Sequence, residues 1–221
     1  TRLIRVIRDI PADYIIAGSK KSNLREMVDK YLQNKGIKQV DIRAREIRDL
    51  EIDPNDFTLT ETIYNTRHGK EIFLQFENKE KNLLAGFLRL RLPDFEKIKA
   101  DADYDASHIA PETAHNWGLD KWMAESEAFI NTNSEIVKID ELLSGAALVR
   151  ELHVYGTMKR VGEEGNQSQH TGMGKALLAR AEQIAKRSGY QRLAIISGVG
   201  VRNYYRGRGY EYRDTYMSKE L

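Results

Sequence analysis

The chain has no cysteine among its 221 residues. That removes disulfides and every thiolate-ligated zinc or iron–sulfur site from its repertoire. The absence agrees with a reducing compartment, and a cytoplasmic location is the expectation. No apolar run approaches the roughly 18 residues that a membrane span needs, and no signal-peptide pattern opens the chain. No membrane partner is therefore expected. There is no internal repeat and no low-complexity tract. The first residue is Thr1 rather than methionine, which reads as a piece of a longer protein. What remains is ordinary for a globular chain: 41% apolar and 31% charged residues, enough for one large domain, or one domain and an appendage, without covalent staples.

Net charge is only +2, but it is unevenly spread. Residues 1–50 carry 12 basic and 7 acidic side chains, residues 93–145 carry 4 and 12, and residues 146–221 carry 13 and 7. A basic start and a basic end suit a polyanion, and the acidic middle does not. Solvated charged faces would give the same counts.

Periodicity supplies the elements. In SNLREMVDKYLQNKG, Leu24, Met27, Val28, Tyr31 and Leu32 share one helical face, with Ser22 as the expected N-cap and Gly36 as the stop. TIYNTR and KEIFLQFEN alternate about His68-Gly69 and read as a hairpin, and LLAGFLRLRL as a third antiparallel strand. The acidic stretch that follows holds both tryptophans, Trp117 and Trp122. It is too aromatic for a plain linker, and part of it is expected to lie across the functional cleft. ALVRELHVYG restores a strand. A helix then buries Leu177, Leu178, Ala181, Ile184 and Ala185, QRLAIIS is a buried strand, VRNYYRGRGY a short helix and turn, and YEYRDTYMSKEL a closing strand.

One feature carries chemistry. QHTGMGK places Gly172 and Gly174 just before that amphipathic helix. The free N–H groups and the dipole of a helix start attract phosphate oxygens, and glycines let a diphosphate approach. A tight turn feeding a helix would use the same residues.

The motif Gln169-x-x-Gly172-x-Gly174, followed by NYYRGRGYE, resembles the two signatures of the GNAT acetyltransferase superfamily. RELHVYG, QHTGMGKALLARAEQIAK and ISGVGVRNYYRGRGYE, with the upstream RDIPADYIIAG, NLRE and DIRAREI, resemble the family of the Elongator catalytic subunit. This likeness covers nearly all of residues 1–92 and 146–221. It implies an α/β GNAT fold, a mixed and mostly antiparallel sheet flanked by helices. The expected organisation is an N-terminal helical and extended appendage at 1–58, then an acetyltransferase domain at 59–221 with an acidic insertion at about 93–145.

The family likeness further implies an acetyl-CoA-dependent acyltransferase acting in transfer RNA wobble-uridine modification. Acetyl-CoA is the expected cosubstrate. S-adenosylmethionine, the iron–sulfur cluster and the radical step are expected only in a missing domain, itself an expected partner along with transfer RNA. Family cysteines that help hold zinc near DIRxRE are replaced here by Gln39, Val40 and Ala44, so no metal is expected. The alternatives are a GNAT protein lysine or small-amine N-acetyltransferase, and a non-catalytic module that binds acyl-CoA or RNA.

The resemblance also assigns residues. Tyr205, with Tyr204 beside it, takes the general-acid position, its hydroxyl roughly matched to a thiol leaving group. Glu151 or His153 is the candidate to activate water or an amine. Leu152 and Val154 offer backbone to the pantetheine arm. Gln169, His170, Thr171, Gly172, Met173, Gly174 and Lys175 form the diphosphate loop, and Asn203 joins Tyr204 and Tyr205 in the second motif. Arg2, Arg5, Arg8, Lys20, Lys21 and Arg25 are the candidate RNA-binding surface.

Overall fold

In the computed structural model, the residues described are 12–18, 23–47, 50, 52–100, 142–155 and 171–221, Thr171 by its backbone alone. Ser22, both tryptophans and most of the acidic insertion lie outside them. The chain forms two compact units, Thr1–Glu46 and Ile47–Leu221.

In the first unit, α1 (Leu24–Asn34) has Asn23 at its N-cap position, with no capping bond from its side chain. It stops where Gly36 takes φ +66°, a left-handed conformation that suits glycine. The Ile37 and Gly36 amides then close back onto the carbonyls of Leu32 and Gln33 at 3.0 Å, satisfying the end of the helix. The apolar stripe is present, yet no residue of α1 is buried. Asp41 accepts from the Ala44 amide at 3.2 Å and so caps α2 (Ile42–Arg45).

The second unit is built on a seven-stranded sheet: β1 (Thr58–Thr66), β2 (Gly69–Asn78), β3 (Leu83–Pro93), β4 (Ala146–Val154), β5 (Arg192–Ile196), β6 (Glu211–Arg213) and β7 (Tyr216–Glu220). The strand order is β1-β2-β3-β4-β5-β7-β6, and all pairs are antiparallel except β4 with β5. The long helix α3 (Thr171–Arg187) packs on β2 to β5, and the short α4 (Arg202–Arg206) adjoins β6. Ile72, Leu74, Leu88 and Leu90 of the sheet meet Leu177, Leu178, Ala181 and Ala185 of α3 in the main core, with Ile184 packed against it. A mixed, mostly antiparallel sheet flanked by helices is thus observed. Among the described residues no helix is long and apolar enough to cross a membrane.

Three local readings change. The first hairpin turns on Arg67 and His68, since Thr66 pairs with Gly69. Gly69, at φ +125°, opens β2 where an added Cβ would lie 2.1 Å from the Leu92 carbonyl oxygen. The C-terminal segment is two strands rather than one, joined by Asp214 and Thr215 at φ +44° and +76°. Positive φ at both loop residues is the mark of a tight hairpin turn, though asparagine and glycine are its usual residues. Finally, β3 carries an extra residue at Ala85, where Phe76 pairs with Gly86 but Glu77 with Leu84. Ala85 joins Ile47, Ile52, Phe57 and Met173 in a second apolar cluster.

Candidate functional site

The site starts from a defect in β4. Arg89 of β3 pairs with Glu151 and Leu90 with Val149, so Arg150 is an extra residue on β4. Such a bulge bends and twists its strand. Pairing of β4 with β5 runs only from Ala146 to Val149. Beyond the bulge β4 keeps β3 as its neighbour, and the two parallel strands part. The Tyr155 amide donates to the Ala85 carbonyl at 2.8 Å. By the alternation of an antiparallel ladder, the backbone groups of Leu152 and Val154 then face away from β3, toward the opening.

Two other elements close on the end of β4. A Cβ built on Gly174 would lie 2.9 Å from the Tyr204 hydroxyl and 3.5 Å from Val154 Cγ2. The first turn of α3, the last residue of β4 and the ring of Tyr204 therefore meet at one point. The two glycines of the loop differ. Among the described residues a Cβ on Gly172 would meet nothing within 4 Å, whereas Gly174 is needed for the approach of Tyr204. Met173 between them is 5% exposed and anchors this turn in the second apolar cluster. Lys175 is exposed. Gln169 and His170 lie outside the described residues.

Tyr205 is 6% exposed and packs edge-on to Tyr204 and Tyr210, at 5.2 and 5.9 Å between ring centroids. Burial raises the hydroxyl pKa of both Tyr204 and Tyr205, which keeps them protonated as a proton donor requires. Asn203 is exposed and accepts from Arg206 at 2.7 Å.

Leu152 and Val154 pack against the α3 side of the sheet, so by alternation Glu151 and His153 lie on its other face. There His153 stacks on Phe87 at 6.2 Å and lies 4.6 Å from the Tyr155 ring, and Glu151 lies 3.8 Å from Arg89. The same face holds an ionic cluster the sequence reading missed. Glu71 accepts from Arg89 at 2.8 Å, from the Tyr64 hydroxyl at 2.7 Å, and from Arg150. Burial raises the Glu71 pKa, but these bonds outweigh it and hold the carboxyl down at about 2.

Of the proposed RNA-binding residues, only Arg25 is described. Its guanidinium bonds Asp29 at 2.7 Å and Asp41 at 3.1 Å. A second residue absent from the sequence reading is Arg208, which lies over the Tyr204 ring. The signal was its spacing, since residues four apart on a helical turn share a face.

No protein-family model matches the chain. The whole chain aligns at 35% identity with a tRNA uridine(34) acetyltransferase of Methanocaldococcus infernus and at 38% with one of Dehalococcoides mccartyi. It aligns at 34% with the Elongator complex protein 3 of Danio rerio. Over its whole length the chain is thus similar to proteins of these two names. It spans 35%, 40% and 34% of the length of those three relatives, respectively. Among solved structures it is similar to the archaeal Methanocaldococcus infernus Elp3 with an N-terminal deletion, at 34% identity and a TM-score of 0.64. That match covers 97% of this chain and 43% of the Elp3 chain.

Proposed function

We propose that this chain is the acetyl-CoA-binding and thioester-cleaving portion of an enzyme that modifies the wobble uridine of transfer RNA, built on a GNAT fold. The observation that carries the reading is the opening between β4 and β5, which abuts the first turn of α3, where among the described residues a Cβ on Gly172 would meet nothing and the Tyr204 hydroxyl lies close to Gly174. A diphosphate fits a helix start, whose first amides have no partner within the helix and whose glycine presents no side chain. A pantetheine arm would add itself to the backbone of Leu152 and Val154 that faces away from β3, as an extra strand does. The names of the relatives support the same reading.

In the cleavage step, water adds to the thioester carbonyl and the carbon–sulfur bond breaks with its electron pair on sulfur. A tyrosine hydroxyl of the Tyr204–Tyr205 pair gives its proton to that sulfur, leaving acetate and the free thiol. His153 or Glu151 is the candidate to take the proton of water, and from the other face of the sheet either would reach it only through the opening between β4 and β5. Cysteine is absent from the sequence, so no residue here fits a thiolate-ligated iron–sulfur cluster. Radical chemistry and S-adenosylmethionine belong to a domain outside this chain, with which it would act on transfer RNA.

Calorimetric titration with acetyl-CoA tests the reading. Saturable one-to-one binding that CoA competes away supports it, and no measurable binding by the folded chain overturns it.

A further inference from the structure

Arg208 holds an unusual position for a cation near an anion-binding turn. Its guanidinium carbon sits 3.5 Å from the centroid of the Tyr204 ring, and its Nη1 donates to the Tyr204 carbonyl at 2.6 Å. Its Nε is buried without a hydrogen-bond partner among the described residues, as are those of Arg45 and Arg202. One side chain thus grips the tyrosine twice, on the ring face and at the backbone. The far end of that ring reaches the junction of Val154 and Gly174.

We propose that Arg208 is a positioning residue that clamps Tyr204, so that its hydroxyl, rather than that of the more deeply packed Tyr205, faces the thioester sulfur. This rests on the acetyl-CoA reading of the site. A cation on the ring face stabilises the ring's negative charge, so Arg208 eases the loss of the proton that the departing sulfur takes up. Burial raises the Tyr204 pKa while Arg208 works against that rise. Among the described residues, Arg208 lies over the ring face, Tyr205 packs edge-on to it and Tyr210 interacts with it electrostatically. Val154 of β4 and Gly174 of α3, which carry no side-chain charge, meet its hydroxyl end.

The test uses chain labelled with ¹³C at the tyrosine ζ carbon, with the Tyr204 signal assigned by its loss in Tyr204→Phe. In Arg208→Met the Tyr204 signal should titrate at higher pH than in the parent, and acetyl-CoA affinity should stay within about twofold. Thioester cleavage should slow by about tenfold or more, with the alkaline limb of its pH profile moved up. Arg208→Lys keeps the charge but not the fork, and should recover the titration more fully than the rate. An unmoved Tyr204 titration in Arg208→Met overturns the clamp. So does a parallel fall of binding and cleavage, which marks a structural role. Failure of the parent to bind acetyl-CoA would sink the functional reading instead, and the titration would still decide whether Arg208 controls Tyr204.

Discussion

Arg89 of β3 reaches diagonally across the ladder to Glu71 of β2 at 2.8 Å, the two residues 7% and 4% exposed, on the side of the sheet away from α3. Removing one partner of such a pair strands the other charge. Glu71→Ala should therefore cost about 3–5 kcal/mol of stability, measured by denaturant unfolding at neutral pH.

The same carboxylate sets an acid limit. Its folded pKa, about 2, lies below the ordinary value of 4.5, so its contribution is present above the ordinary value and lost as pH falls through the folded one. Unfolding midpoints of the parent should drop between those two values. Glu71→Gln should flatten the drop, and an equally steep loss in the variant would assign it to other carboxylates.

The unequal glycines predict separable defects. Gly172→Asp adds a side chain into open space and a favourable charge at a helix start, so the thermal midpoint should hold or rise. Acetyl-CoA affinity should fall by at least tenfold, because the carboxylate occupies the proposed diphosphate position. Gly174→Ala instead meets the Tyr204 hydroxyl, and should impair cleavage more than binding. Calorimetry alongside single-turnover cleavage distinguishes the two.

Thr215 adopts φ +76°, a conformation that costs a β-branched residue about 1–2 kcal/mol. Thr215→Gly should raise the thermal midpoint by roughly 2–6 °C, read by circular dichroism. An unchanged or lower midpoint would show that the turn relaxes in solution.

Much of this architecture was legible in the sequence. Alternation in KEIFLQFEN and LLAGFLRLRL, and the 3.6-residue spacing of Leu177, Leu178, Ala181 and Ala185, reflect burial on one face, which periodicity reports directly. The β6–β7 hairpin was hidden because Asp-Thr lacks the glycine or asparagine that usually marks such a turn. The apolar stripe of α1 was legible as a helix, but its exposure was not, since pattern reports a face and not what covers it. At the site, the glycines and the tyrosine pair were visible in order, yet their roles were not. Tyr204 and Tyr205 are neighbours on one short helix, and only their directions in space tell the ring over α3 from the ring in the core. The ionic cluster was invisible for a related reason: Glu71 and Arg150 lie 79 residues apart and meet only through strand register.

The bulge at Arg150 makes the opening a matter of length as much as of residue type. Excising that one residue would leave every other observed pair between β3 and β4 in sequence, Leu90 with Val149 followed directly by Arg89 with Glu151. The shortened strand could then run on beside β5 like two sides of a closed zip. Its backbone groups would be satisfied from within, and nothing would be left for a ligand to complete. The proposed capacity to hold a guest is thus inserted into this sheet as a single surplus unit of chain, whose side chain bonds Glu71.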